Sequence, residues 1–374
     1  MRKFIYADNA ATTKLDIEAF EAMKPYLLNE YGNASQPYSF SRSAKKALKE
    51  SRQIIAECIN AKPEEIYFTS GGTESNNWAI KGISNLFGKS EIISSEIEHH
   101  AILNSLESVK ELQCTIKLLH PNDEGIINPS ELKRLLTSKT ILVSVMYANN
   151  EIGSIQPIQE LAAIAHSNKT LIHTDAVQAV GHIKVDVKSL NVDLLSASAH
   201  KFNGPKGIGF LYIKSGTNIA PYADGGSQEF GMRAGTENIA SIVGMAIALK
   251  KNVLEIDKNT AYVKDLEKVF FTELNSERKL DYIRNGGNNR IPGNISLSFR
   301  GYDGEALLHR LDLSGICVST GSACDSVNTN VSHVLSAINL DDEYAKGTIR
   351  ISLSKDNSVE DVIIIAKELK KIVG

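Results

Sequence analysis

The chain has only four cysteines in 374 residues, and their spacing is that of neither a disulfide framework nor a zinc site. The gap between Cys317 and Cys324 lacks nearby ligands, as does the His99-His100 pair, so no metal site is expected. A reducing compartment, the cytoplasm, is expected instead. No apolar run approaches membrane-spanning length, and MRKFIYADNAATT enters a strand-like segment without the apolar stretch of a secretory signal. Excess charge of one sign is also missing: 41 basic residues against 44 acidic leave a formal net charge of −3. That excludes strong non-specific nucleic-acid binding by the chain as a whole. There is no internal repeat and no low-complexity tract, nor does any segment have the spacing of a Walker A loop or a dinucleotide fingerprint.

What is present is regular alternation. Between about residue 60 and residue 215, strand-like runs precede helical ones: IYFTS then 73–87, EIISSE then 100–111, TILVSVMYA then 157–168, TLIHTDA then 176–181, followed by the strand GIGFLYI. This pattern predicts an α/β fold with a mainly parallel sheet and helices on both faces. A long helix is expected over 237–275. Beyond residue 281, NISLSF, a helix over 304–311, GICVST, TIRISL and an amphipathic helix over 358–372 read as a smaller α/β unit.

Four places carry chemistry. The buried-looking strand in DLLSASAHKFNGP ends at His200-Lys201. A lysine at such a position loses solvation, and binding an aldehyde as a Schiff base relieves the cost. Ser198 and His200 flank it with hydrogen-bonding groups suited to a phosphate. The alternative is a lysine that merely snorkels from a strand end. Upstream, Asp175 falls near the carboxyl end of a strand in TLIHTDAVQAVG, where α/β sheets bind ligands, and Gln178 follows at the start of the expected helix. A carboxylate there can keep a pyridine nitrogen protonated, or it can simply cap the helix. In IYFTSGGTESNN, the Gly71-Gly72 turn and Thr73 open a helix, an arrangement that either cradles an anion or plainly connects strand to helix. Cys324, in STGSACDS, lies among small residues that leave a thiol accessible, and so few anchoring side chains follow it that a mobile segment is expected. The other cysteines have packing explanations: Cys58 on an apolar helix face, Cys114 on a strand face with Ile116 and Leu118, and Cys317 in a probable strand position beside Val318.

These pieces, in order with YADNAATT, EHHAI, NNEIG, GMRAGTEN, GSAC and TIRISL, resemble the cysteine desulfurases of the NifS/IscS kind, within class V of the fold-type I pyridoxal phosphate enzymes. The resemblance runs over nearly the whole chain. It implies a seven-stranded, mainly parallel sheet in a large domain spanning 15–257, and a small domain made of 1–14 and 258–374 that carries the catalytic-cysteine loop. It implies pyridoxal 5'-phosphate as cofactor, with Lys201 as its covalent anchor, Asp175 on the pyridine nitrogen, Gln178 on the phenolate oxygen and His99 stacked on the ring as an acid/base group. Gly72, Thr73, Ser198 and His200 would hold the phosphate, with Thr236 supplied from the other subunit of an obligatory homodimer. Asn150 would lie near ring and substrate, Asn33 and Arg350 would bind substrate, and Arg350 would clamp its carboxylate. Cys324 would form the persulfide.

The implied reaction begins when L-cysteine displaces Lys201. The freed lysine takes the Cα proton, and Cys324, as thiolate, attacks the substrate sulfur. Alanine leaves, and the sulfur passes on to an acceptor protein. Selenocysteine cleavage, another pyridoxal phosphate transferase activity and a non-catalytic subunit of a sulfur-transfer complex are the alternatives. The sequence departs from the family where GNASQPY lacks a usual proline, where Tyr38 replaces a common histidine, and where DSVNTNVSHVL lacks the usual Leu-Glu-Pro after the cysteine. The last change bears on the acceptor, which stays open between an iron–sulfur scaffold, tRNA thiolation, a cofactor pathway and DNA phosphorothioation.

Overall fold

In the computed structural model, which describes residues 4–276, 280–320 and 331–374, strands and helices alternate as the sequence pattern requires. The first half contains β1 (Ile5–Tyr6), α1 (Ile17–Leu28), α2 (Arg42–Cys58), β2 (Ile66–Thr69), α3 (Gly72–Phe87), β3 (Glu91–Ser95), α4 (His100–Val109), β4 (Thr115–Leu119), α5 (Pro129–Leu135), β5 (Thr140–Ser144), α6 (Ile158–Ser167) and β6 (Leu171–Asp175). Next come α7 (Val187–Leu190), β7 (Leu194–Ser198), β8 (Gly209–Ile213) and the long α8 (Ile239–Leu274). The remainder holds β9 (Tyr282–Arg284), β10 (Asn294–Phe299), α9 (Gly304–Leu313), β11 (Ile316–Cys317), α10 (His333–Ala337), α11 (Asp342–Ala345), β12 (Thr348–Ser352) and α12 (Val359–Val373).

Seven strands form one sheet in the order β2-β8-β7-β6-β5-β3-β4, parallel throughout except for β8, which runs antiparallel to both neighbours. Successive residues of a strand point to opposite faces, and here both faces are apolar. Ile93, Val143, Ile172 and Leu195 face one core, with α2, α6 and α8, while Ile92, Leu142, Leu194 and Leu211 face the other, with α3 and α4. Such two-sided burial is what makes a parallel sheet read as continuous apolar runs.

A three-stranded antiparallel sheet, β12-β10-β9, and the parallel pair β1-β11 lie apart from it around a separate apolar cluster. The helix α8 joins the two: Ile242 to Leu249 pack into the large sheet's core, and Val263 to Leu274 into the small one's. The segment 7–13 is the second tie. Asn9 N donates to Ser352 O, whereas Thr13 N donates to His200 O, so a few residues span from β12 to the end of β7.

Two expectations need correction. No helix follows Asp175: residues 176–181 make a single turn, Ala179 N and Val180 N both reaching Ala176 O, and Gly181 at φ +81° then turns the backbone away. A side chain at Gly181 would collide with Phe202, since its Cβ would lie 2.5 Å from Phe202 Cβ. Cys114 is buried as expected, but it precedes β4, and Leu118 on that strand is exposed because β4 is the edge of the sheet.

Candidate functional site

The carboxyl ends of β3, β5, β6 and β7 open onto a cavity of about 640 Å³, closed on its far side by residues of the segment 10–12 and by Arg350 of β12. Gly72, Thr73, His99, Asn150, Asp175, Gln178, Ser198, His200, Lys201 and Arg350 all line it. Asn33 and Thr236 do not. Asn33 caps its own loop, its Oδ1 accepting from Ser35 N, and Thr236 is exposed just ahead of α8. Cys324 lies outside the described residues, but the chain on either side is placed at the cavity: Ser319 exchanges backbone hydrogen bonds with Arg350, and Ser332 lines the wall.

Lys201 closes a single 3₁₀ turn, Ala199–Lys201, directly after β7. Its Nζ donates to Ala10 O at 2.6 Å and Ala11 O at 2.9 Å. Gln178 Nε2 donates to the same Ala10 carbonyl at 2.9 Å. Asp175 is the last residue of β6 and is buried. Its Oδ1 accepts from Val177 N at 2.9 Å and its Oδ2 from Asn76 Nδ2 at 2.6 Å.

The anion cradle is built from α3 and β7. Gly71 has φ +151°, a conformation that side chains rarely adopt, and a Cβ on Gly72 would stand 2.6 Å from Val177 Cγ2 in the neighbouring turn, so the two glycines are required for different reasons. The free amides at the start of this helix face the cavity beside Ser198 and His200. Burial pulls the His200 imidazole down to about 4, with Lys201 and Lys206 acting the same way, and its Nδ1 lies 3.1 Å from Thr12 Oγ1. His99 caps α4, its Nδ1 accepting from Ala101 N at 3.1 Å, which leaves Nε2 to carry the proton of the neutral ring. Burial depresses its pKa, Asp175 opposing and Lys201 and His100 assisting.

On the opposite wall Arg350 is buried, with Nη2 2.7 Å from Asp8 Oδ1 and Nη1 donating to Asn150 O at 3.0 Å. Its Nε is buried and has no partner among the described residues. Glu98, which precedes the lining residue His99, is fully buried. Its Oε1 accepts from Ser95 Oγ and Met146 N, its Oε2 has no partner among the described residues, and burial raises its pKa to about 8.

The arrangement therefore offers an anion cradle, a primary amine, a carboxylate for a protonated ring nitrogen and a guanidinium for a carboxylate. Residues 5–365 match the family described as Aminotransferase class-V. The chain belongs to the class V aminotransferase family. Among class V relatives, a "Cysteine desulfurase IscS" from Dictyoglomus turgidum is 48% identical over 376 residues, covering 100% of this chain and 95% of the relative. A solved "NIFS-like protein" superposes with a TM-score of 0.93 at 35% identity, covering 99% of both chains. Another, "SspA in complex with cysteine", gives a TM-score of 0.83 at 32% identity over 93% of this chain and 98% of its own.

Several residues that shape the class V site were not singled out in the sequence: Asp8, the carbonyls of Ala10 and Ala11, Asn76 and Glu98. Asn76 had a signal, a polar residue four positions after Gly72 on the buried face of α3 with Ile80 and Ile83. A backbone carbonyl has none. Among the described residues no cluster of His, Cys, Asp and Glu has the makings of a metal site, and no helix is long and apolar enough to cross a membrane.

Proposed function

We propose that this protein is a pyridoxal 5'-phosphate-dependent cysteine desulfurase that converts L-cysteine to L-alanine, leaves a persulfide on Cys324 and passes that sulfur to an acceptor protein. The observation that carries the reading is the convergence of Lys201, Asp175 and Arg350, from three distant parts of the chain, on one cavity. The cavity fits the cofactor: Gly72 lets the start of α3 pack against the turn at Val177 where a Cβ would collide, and Asp175 stands ready, doubly hydrogen-bonded, for a ring nitrogen. When bound there, pyridoxal phosphate supplies an electron sink for the pair left at Cα.

The residues divide the remaining work. Amides of α3, with Thr73, Ser198 and His200, bind the phosphate, and neutral His200 does so as a hydrogen-bond donor through Nε2. Lys201 anchors the aldehyde and, once released by the incoming amino group, takes the Cα proton at Nζ. Asp175 holds the proton on the ring nitrogen and Gln178 turns its amide toward the ring oxygen. His99, with Nδ1 committed to Ala101, presents Nε2–H to the ring and the leaving group. Arg350 orients the substrate carboxylate. Cys324 takes the sulfur: the substrate C–S bond breaks, an S–S bond forms, and the electron pair of the C–S bond stays with the carbon, which gains a proton as alanine leaves.

A homodimer with shared sites follows from the same reading, because Thr236 is exposed away from its own cavity and Glu237 Oε2 is buried without a partner among the described residues. The two sheets with their separate cores support a large domain of 15–257 and a small one of 1–14 and 258–374. Three cysteines free of disulfides, Cys58, Cys114 and Cys317, support a cytoplasmic setting.

The decisive experiment incubates the holoprotein with L-cysteine and a thiol reductant, measures alanine and sulfide, and maps bound sulfur by mass spectrometry. Equimolar alanine and sulfide, with one extra sulfur on Cys324 before reduction and borohydride fixing the cofactor on Lys201, are expected. Absence of alanine overturns the reading. Sulfur on Cys58, Cys114 or Cys317 with Cys324 unmodified overturns the choice of nucleophile.

A further inference from the structure

Arg350 reaches the cavity already engaged. Its guanidinium is buried, one Nη2–H is given to Asp8 and one Nη1–H to the Asn150 carbonyl. A guanidinium has five N–H groups in a fixed plane, so two anchors on different nitrogens fix that plane and leave the remaining N–H groups of Nη1 and Nη2 for a ligand. Asp8 is itself held. Ala11 N donates to its carbonyl at 3.1 Å, Tyr6 Oη donates to the same oxygen at 3.0 Å, and the residue bridges to Ser352 of β12. The turn that begins at Asp8 also delivers the Ala10 and Ala11 carbonyls to Lys201 Nζ. One short turn thus touches both the cation that receives a carboxylate and the amine that receives an aldehyde.

We propose that Asp8 is a positioning residue for the substrate's α-carboxylate: it locks the plane of the Arg350 guanidinium and, through the turn it opens, fixes where that carboxylate stands relative to Lys201. The inference rests on the reading of Arg350 as the carboxylate clamp. Two physical effects oppose each other when Asp8 is removed. The unbalanced Arg350 charge attracts an anion more strongly, while the released guanidinium loses the orientation on which paired N–H···O contacts depend. Orientation outweighs charge here, because Arg350 is buried in a strand where only its planar end faces the ligand and a rotated plane presents one N–H instead of two.

The test is steady-state kinetics of the holoenzyme with L-cysteine, together with calorimetric titration of L-alanine. Asp8→Asn keeps a carbonyl oxygen for Nη2 and loses the charge, whereas Asp8→Ala loses both. The expected outcome is a KM for L-cysteine and a Kd for L-alanine about tenfold higher in Asp8→Ala, about threefold or less higher in Asp8→Asn, and a kcat that falls less than KM rises in both. Asp8→Ser, whose hydroxyl is too short to reach the guanidinium, stands in if Asp8→Ala does not fold. Equal constants in the Ala and Asn variants, or a tighter L-alanine Kd in Asp8→Ala, overturn the proposal. Arg350→Ala separates this failure from a deeper one. If that variant weakens L-alanine binding while Asp8→Ala does not, only the role of Asp8 falls; if L-alanine binds Arg350→Ala as it binds the native protein, the carboxylate clamp falls too.

Discussion

The two walls of the cavity solve the same problem in opposite ways. Behind the large-sheet wall two fully buried groups escape charge by titration: His173 lies between Ser144 Oγ and Ser196 Oγ, both at 2.9 Å, with its pKa pulled by burial to about 3, and Glu98 is pushed up to about 8. The small-sheet wall keeps its buried charge and pairs it, Arg350 with Asp8. Burying an ion costs several kcal/mol unless a partner offsets it, and neutralisation is the other escape. The difference follows from what each wall has to do. On the proposed function the small-sheet wall attracts a carboxylate and needs a cation that is held still, whereas Glu98 and His173 lie behind the cavity lining and meet no ligand.

The strongest way to break this comparison is to strip the large-sheet wall of its two working charges. On the proposed function Lys201→Ala removes the amine that would carry the aldehyde and accept the Cα proton, and loss of a positioned general base costs about 10²–10⁴ in rate. Asp175→Ala removes the proposed partner of the ring nitrogen and belongs in the same range. Alanine formation from L-cysteine is the readout. On the opposite wall, the Asp8 variants are expected to move KM more than kcat. If Lys201→Ala or Asp175→Ala changed only KM, the division of labour between the walls would be wrong.

A sharper, smaller test concerns the cradle. Gly72→Ala places a Cβ 2.6 Å from Val177 Cγ2 in the turn that follows Asp175. Forcing a methyl into such a contact costs about 1–3 kcal/mol. The turn must move, so cofactor affinity measured by fluorescence titration of the apoprotein falls by about 5- to 150-fold. Adding Val177→Ala removes the colliding methyl and restores most of the affinity. If the double variant binds no better than Gly72→Ala, the cradle does not depend on that contact.

The walls also differ in how far the sequence revealed them. Lys201, Asp175, Ser198 and His200 sit at strand ends inside local patterns, apolar run then functional side chain, and the alternation that places them is continuous from β2 to β8. The long helix α8 and the terminal α12 were legible within two residues of their ends, because their apolar faces run at helical period. The small-sheet wall was legible only by resemblance. Arg350 meets Asp8 across more than three hundred residues, and neither segment carries a local trace of the other. The pattern after Asp175 predicts a helix because Ala176, Gln178 and Ala179 are good helix formers, but the turn stops at Gly181, whose φ of +81° and close approach to Phe202 no other residue would allow.

The smallest expected effect tests neutrality itself and needs no cofactor. Glu98 has a folded pKa of about 8 against an ordinary 4.5. Between those values the folded chain binds a proton that the unfolded chain has released, so Glu98 makes stability fall as pH rises through that window. His173 works the other way: with a folded pKa of about 3 against 6.5, it contributes stability above pH 6.5 that is lost as pH falls toward 3. His200, pulled down to about 4, adds to the histidine side over most of the same window. Below pH 6.5 the histidines therefore oppose Glu98, and above it Glu98 acts against neither. Glu98→Gln keeps a carbonyl oxygen for Met146 N and Ser95 Oγ and removes the titration. Comparing urea midpoints of the native and Glu98→Gln proteins at pH 6.5 and pH 8 isolates the term: the variant gains on the native protein by at most about 2 kcal/mol across that interval. Parallel behaviour of the two proteins would mean that Glu98 is ionised in the folded state, with a cation or water on Oε2, and that burial behind the large sheet does not hold it neutral.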